Sequence, residues 1–498
     1  MDSSTTFLGI DQGSSSTKAV LLDGRGRQLL ELNAAVPPRI EDGRKVEQDP
    51  EGLLDSVLDV LGRAKSWAES NGVTIKGAGL AVQRSGVLAW NSTDGRIRHP
   101  MMTWADTRTQ PIIQGFGRGA ERISMMTGLP TIPHFAAGKI HNLQRQFLEP
   151  SVYVATLDSF LLHRMSGKRL FVTEDTMAAR TMLYALAERG WSEKLCHDFA
   201  VDGKRLPKIV PSLGFLFERE GIPFTACMGD QQAALIGRLG PRKKPLLNLG
   251  TIASLTKDTG FDPVQAPGLM TSVLLSRLVP NGFTRELRYL VELTSPVTGT
   301  VLLEPLRRAW ASSSEELESL CESSLAEHPE GRAIAYFVDH RAASPTNPEK
   351  MPNVTVCKEG ATTQDRARAV VENVGNIIVR MLEEFAERKI LAETYPAEID
   401  VAGGGSELDY LCQYISDVSG HTLSRVALRE AGARGAALSA CMHATSEFDA
   451  SSLNAEEPER TYRCERPERR KRFLMWQKLE QDILQKRLPT QAEVEVEE

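Results

Sequence analysis

A chain of 498 residues exceeds what one ordinary hydrophobic core accommodates and predicts roughly two to four domains. Hydrophobic residues make up 41% and charged residues 25%, a soluble globular composition that excludes a disordered chain, a collagen-like repeat and a small disulfide scaffold. A net charge of −6 lacks the basic footprint of a general nucleic-acid binder, and no apolar stretch reaches the ~18 residues that span a bilayer. Met1-Asp2-Ser3-Ser4 lacks the basic and apolar regions of a signal peptide. Seven scattered cysteines without a Cys-x-x-Cys pair predict reduced thiols in a cytoplasmic protein and argue against a zinc site.

In chain order, Phe7 to Ile10 reads as a strand, followed by the small-residue turn Asp11-Gln12-Gly13-Ser14-Ser15-Ser16-Thr17-Lys18. Ala19 to Asp23 and Gln28 to Leu32 return as further strands around Gly24 to Arg27. An antiparallel opening differs from a Rossmann unit, which passes from strand directly to helix. Asp49-Pro50 starts a helix, with Asp as N-cap and Pro in the first helical position. Leu54, Val57, Leu58, Leu61, Ala64 and Ala68 form its apolar face, and Gly77 to Val82 is the next buried strand.

A comparable series recurs later. Leu246 to Leu249 is a short strand ending at Gly250-Thr251, and Leu255 and Thr256 belong to its return. Thr362 to Asp365 reads as a capping box before a helix whose apolar face runs from Ala367 to Phe385. Glu398 to Ala402 is a strand running into Gly403-Gly404-Gly405. The expected division is an N-terminal domain over 1–240, a C-terminal domain over 241–488, and a mobile acidic tail over 489–498.

No G-x-x-x-x-G-K-[ST], H-E-x-x-H or G-x-S-x-G occurs, and the triple glycine does not extend to G-x-G-x-x-G. This disfavours P-loop NTPases, zincins, α/β-hydrolases and dinucleotide oxidoreductases. Three small-residue turns remain after strands: Asp11 to Lys18, Gly250-Thr251 and Gly403 to Ser406. Such turns let backbone N–H groups approach an anion. Ser14, Ser15 and Thr251 add hydroxyls, Lys18 adds charge, and Asp11 sits where a carboxylate would hold a metal beside phosphates. Each turn read alone is an ordinary turn; three together point to a nucleotide clamped between two domains. Asp230 follows Gly229 at the start of a helix-like run, where it reads equally as an N-cap or as a base aimed at a substrate hydroxyl. Gln83-Arg84-Ser85 ends a buried strand, and Trp104 to Thr109 follows with groups suited to a hydroxylated ligand. A surface salt bridge and a core Trp explain the same residues structurally.

These segments, in this order, resemble the FGGY family of carbohydrate kinases, in the pattern of its glycerol kinases, from Phe7 to about Ala440. Phe7 to Lys18 resembles the first phosphate motif, and Gly229-Asp230-Gln231-Gln232-Ala233-Ala234 the catalytic motif. Pro133-x-Phe135-x-x-x-Lys139 matches a family signature, and Gly167 to Thr181 resembles the stretch before the catalytic motif. Gly250-Thr251 resembles the second phosphate motif, and Ala402 to Gly405 with Gln413, Asp417 and Gly420 the adenosine motif.

The resemblance implies an α/β protein of two ribonuclease H-like domains of the actin/hexokinase type, with ATP and Mg²⁺ in an interdomain cleft. It implies Asp230 as general base, with Asp11 and Asp230 near Mg²⁺. Gly13, Ser14, Ser15, Lys18, Gly250, Thr251 and Gly299 would meet the phosphates, and Gly403 and Gly404 the nucleoside. Arg84, Ser85, Trp104, His134, Asp230 and Gln231 would line the acceptor pocket. Ser85 replaces the family's Glu and His134 its Tyr, Glu292-Leu293-Thr294 replaces Glu-Gly-Ser, and Leu408 replaces an Asn. The expected activity is transfer of the γ-phosphoryl of ATP to a small polyol or sugar. A pentulose kinase and a catalytically weak nucleotide-binding regulator stay as alternatives, and assembly as a homodimer or homotetramer stays open.

Overall fold

The computed structural model describes residues 5–238, 244–250, 253–266, 268–279, 284–295, 311–337, 353–391, 397–426, 430–446, 458–484 and 492–496. The chain divides into two compact units. The first combines Met1–Lys243 with Asp258–Val291 and Leu428–Ala455; the second combines Lys244–Lys257, Glu292–Ala427 and Glu456–Glu498. The compact units are not contiguous in sequence, because two later segments return to the first unit. Among the described residues no helix is long and apolar enough to cross a membrane, and all seven cysteines are free.

In the first unit, β1 (Thr5–Gln12), β2 (Ser16–Asp23) and β3 (Gln28–Ala35) form the expected antiparallel meander, each longer than its apolar stretch. Helix α1 (Pro50–Ser70) begins at Asp49, whose carboxylate accepts from the Glu51 and Gly52 N–H groups. It buries Leu53, Leu54, Val57, Val60, Leu61, Ala64 and Ala68 in a core shared with Leu8, Ile10 and Leu80. Strand β4 (Thr74–Val82) runs parallel to β1, and β5 (Ile222–Gly229) runs parallel to β4. All three parallel strands end at one sheet edge, with Gln12 opposite Val82 and Val82 opposite Gly229. The residues that follow those ends are therefore neighbours: Gly13, Gln83-Arg84-Ser85 and Asp230, which opens α2 (Asp230–Arg238).

A helix of small residues, Ala431–Thr445, closes this sheet. It is seated backbone to backbone. A Cβ on Gly9 of β1 would lie 1.8 Å from the Ala433 carbonyl oxygen, and one on Gly79 of β4 would lie 2.0 Å from that of Ala436. Gly435 meets the Ala233 carbonyl oxygen of α2 in the same way, at 1.7 Å.

In the second unit, β6 (Leu246–Leu249) and β7 (Glu398–Ala402) fall where the sequence predicts them and pair in parallel. The capping box of α3 (Thr363–Glu387) is present, with Thr362 and Asp365 exchanging side-chain-to-backbone bonds. Alongside its apolar face α3 buries Glu372, which Arg368, Arg469 and Arg472 surround. Burial pushes the Glu372 carboxyl up, but Arg472, Arg368 and Arg469 together hold it down to about 2. The segment 489–498, expected as a mobile acidic tail, is corrected over Ala492–Val496. These residues form a strand parallel to Asn353–Lys358, and alternating Glu and Val suits a two-faced strand.

Gly79→Ala should destabilise the protein by about 1–3 kcal/mol through overpacking. Its urea midpoint should fall, whereas alanine at Gly62, where a Cβ meets nothing within 4 Å, should leave the midpoint unchanged or raised.

Candidate active site

The site of the first unit is built on the strand ends. Asp230 accepts from the Gln231 N–H at 2.8 Å, which fixes its rotamer at the helix start. Arg84 reaches it from the neighbouring strand end, with Nε 3.0 Å from Asp230 Oδ1. The Arg84 guanidinium also donates to Gln232 Oε1 at 3.4 Å. Gln231, expected in the acceptor pocket, is exposed, and its neighbour Gln232 makes the contact to Arg84.

Asp11 lies in β1 opposite Lys18 of β2. Lys18 does not point free into the turn. Its ammonium pairs with Glu430 Oε1 at 2.8 Å, so the small-residue helix and the first turn are tied at their charged ends. Asp11 Oδ1 is buried with no hydrogen-bond partner among the described residues. Burial, with Asp230 and Glu430 adding like charge against the pull of Lys18, pushes the Asp11 carboxyl up to about 8. Gly432 allows this close approach: a Cβ there would lie 2.1 Å from Asp11 Oδ2. In the turn itself, the Gly13 N–H bonds the Ser16 carbonyl at 3.1 Å, Ser14 is half-buried and Ser15 is exposed.

On the acceptor side, Ser85 holds a left-handed backbone, φ 65°, and is 1% exposed. Its hydroxyl has no partner among the described residues, and neither does Gln83 Oε1. The Ser85 carbonyl is held by Lys139, which belongs to the Pro133-x-Phe135-x-x-x-Lys139 signature and is not among the residues expected in the site. Fully buried on the helix Ala137–Gln146, its ammonium donates to the Ser85 carbonyl at 3.0 Å and to the His134 carbonyl at 2.8 Å. Burial lowers Lys139 to about 7, with Asp106 opposing and Arg108 assisting the fall. His134 packs against Trp104 with ring centroids 5.7 Å apart. Burial and then the cations Lys139, Arg180 and Arg84 push His134 well below the usual imidazole range, so it is neutral at pH 7. Asp106 is not free for a ligand, since it accepts from the Val46 N–H and from Arg108.

The second unit holds the other small-residue turn. Gly403 has φ 93°, and a Cβ there would lie 2.6 Å from the Leu249 carbonyl carbon of β6. Gly250 follows the last residue of β6, and Gly404 opens a 3₁₀ turn. Leu408, at the end of that turn, is buried at 4% exposure as a core residue. Leu293 is likewise buried. Thr251 and Gly299 lie outside the described residues.

The two halves match family models described as the FGGY family of carbohydrate kinases, N-terminal domain over residues 6–237 and C-terminal domain over residues 250–444. The chain belongs to the FGGY family of carbohydrate kinases. Similar curated proteins include the glycerol kinase of Bdellovibrio bacteriovorus, 27% identical over 459 residues covering 88% of this chain and 90% of that one. The glycerol kinase of Thermus brockianus is 28% identical over 451 residues, covering 86% of this chain and 88% of that one. Among solved structures, Plasmodium falciparum glycerol kinase with ADP superposes with a TM-score of 0.82 at 20% identity, covering 96% and 98% of the two chains. Xylulose kinase from Rhodospirillum rubrum reaches 0.81 at 15% identity, covering 97% and 98%. The protein is a phosphotransferase with an alcohol acceptor and uses ATP, and its glycerol kinase-like character is favoured over the pentulose-kinase and weak-regulator readings.

The Lys139 ammonium should make stability depend on pH. Its folded value is lowered to about 7 from the ordinary lysine value of 10.5, so the unfolded chain binds the proton more tightly between those limits. Stability should therefore rise with pH from about 7 to about 10.5, relative to Lys139→Met, whose difference curve is read by urea unfolding at successive pH values.

Proposed function

We propose that this kinase transfers the γ-phosphoryl group of ATP to a primary hydroxyl of a small polyol, with glycerol as the first acceptor to test. The observation carrying this reading is the Arg84–Asp230 pair at 3.0 Å, on adjacent parallel strand ends beside Asp11, whose Oδ1 is buried. The glycerol kinase relatives support the acceptor class.

Asp230 accepts the acceptor's proton as the new O–P bond forms and the bond to ADP breaks. Phosphoryl transfer runs through a loose transition state, so the more important task of Asp230 is to aim the hydroxyl in line. Arg84 holds one carboxylate oxygen, which leaves the other to face the substrate. The unpartnered Ser85 hydroxyl and Gln83 Oε1 are buried polar groups that a hydroxylated acceptor would satisfy. Neutral His134, packed at a tilt against Trp104, offers a ring nitrogen and an apolar face without adding charge. Shortening Glu to Ser at position 85 leaves the pocket with one hydroxyl in place of a carboxylate, which suits an acceptor making fewer hydrogen bonds there.

The residues fit a Mg²⁺ ion. Asp11 Oδ1 is buried and unpartnered among the described residues, and a cation beside Asp11 and Asp230 would offset the burial and the like-charge repulsion that raise Asp11. No group of three or more His, Cys, Asp or Glu side chains capable of holding a metal occurs among the described residues. That suits Mg²⁺, which keeps waters and binds through one or two carboxylates plus phosphates. When bound, it would neutralise phosphate charge. Gly13, Ser14 and Ser15 would offer backbone and hydroxyl donors to phosphates, and Gly250, Gly403 and Gly404 would border the nucleotide in the second unit. Lys18 supports the turn through Glu430 and meets phosphate only if that pair opens. The seven free cysteines suit a reducing, cytoplasmic setting for this reaction.

With Mg-ATP, glycerol should stimulate ADP release, and Asp230→Asn should stay folded while losing at least ~10²-fold in kcat. Undiminished turnover in that variant would remove the assigned base; stimulation by a pentulose alone would remove the polyol assignment.

A further inference from the structure

Asp230 is the first residue of α2, so its carboxylate is aimed by whatever holds Gly229, the last residue of β5. The Gly229 N–H donates to Thr176 Oγ1 at 2.8 Å. That hydroxyl donates in turn to Glu174 Oε1 at 2.5 Å. Glu174 and Thr176 are both 0% exposed, so water cannot substitute for either partner. Glu174 is itself held by further donors: the Met177 N–H to Oε1 at 2.7 Å, and the Thr176 N–H and Ser212 hydroxyl to Oε2 at 2.8 and 2.7 Å. The Thr176 proton is thereby committed to Glu174, and an oxygen lone pair is left facing Gly229. Ser212 adds a second tether to the same strand, since its carbonyl accepts from the Cys227 N–H at 2.9 Å.

The strand end has little other freedom. A Cβ at Gly229 would lie 2.7 Å from Gln232 Oε1 and 2.8 Å from Arg84 Cδ, so this turn is packed against the two residues that define the Asp230 environment. A small shift of Gly229 would move Asp230 relative to Arg84 and to the acceptor hydroxyl.

We propose that Thr176 is a positioning residue for phosphoryl transfer: its hydroxyl, oriented by Glu174, anchors the Gly229 N–H and so holds the Asp230 carboxylate in line with the acceptor. The inference rests on the reading of Asp230 as the base. Thr176 touches none of the reacting groups, so its loss lowers the rate of the chemical step and spares binding.

Thr176→Val keeps the shape and removes the hydroxyl. Its kcat should fall ~10–100-fold, as expected for a displacement of up to about 1 Å at the reacting group. KM for acceptor and for ATP should stay within about twofold, since binding contacts are kept. Thr176→Ser restores the hydroxyl and should restore kcat, whatever either variant does to the melting temperature. Thr176→Ala serves the same comparison if the valine variant does not fold. Wild-type kcat in the folded hydroxyl-less variant, or equal loss in the serine variant, would overturn the proposal. Asp230→Asn, assayed beside them, separates two failures. Full activity there removes the base itself, whereas an inactive Asp230→Asn with a fully active Thr176→Val removes only the role of Thr176.

Discussion

The first unit depends on one close approach, the seating of the Ala431–Thr445 helix directly on the backbones of β1, β4 and α2. Gly9, Gly79 and Gly435 make it, each at a point where any Cβ would enter a carbonyl oxygen. Backbone contact at this range leaves no side-chain layer to absorb a shift, so the helix, the sheet and α2 move as one body. The site inherits that rigidity. Asp11 leaves β1 beneath Gly432, Asp230 opens α2, and Glu430 at the start of the helix takes the Lys18 ammonium. Asp11 Oδ1 stays buried without a partner among the described residues, and a cation is a group that would compensate it.

The acceptor side is stiffened by a different device. Lys139 binds two main-chain carbonyls, that of Ser85, whose backbone is left-handed, and that of His134. The cost is a buried ammonium brought down to about 7. Burial first, and then Lys139 with Arg180 and Arg84, keep His134 neutral. The second unit shows the opposite balance at Glu372, where three arginines hold a buried carboxyl in its charged form. Arg469, Arg472 and Trp476, which donates to Asn373 at 2.7 Å, bring residues beyond the family-matched segment into the core of the second unit.

Elements whose cause is local were legible in the chain. Asp49-Pro50 starts α1, Thr362 and Asp365 cap α3, and Leu246–Leu249 and Glu398–Ala402 are strands, because caps and short apolar runs act within a few residues. The order of motifs also singled out Asp230 as the candidate base and the three small-residue turns as candidate phosphate turns. The Ala492–Val496 strand was not, because its partner strand lies over a hundred residues earlier and composition alone favoured an acidic tail.

The sequence by itself determined the class of protein, the α/β architecture and the candidate residues Asp11, Arg84 and Asp230, since these follow from residue type and motif order. Only the tertiary structure decided which partners those residues meet. Lys18 meets Glu430 across 412 positions, Gly229 meets Thr176 across 53, and Lys139 meets the Ser85 carbonyl across 54. Such pairings depend on which strand ends and helix termini the packing brings together, and no local propensity encodes them. It also assigned Gly9, Gly79 and Gly435 to a close approach between backbones. A glycine in a strand or helix signals the absence of a side chain, and only the packed neighbour shows why it must be absent.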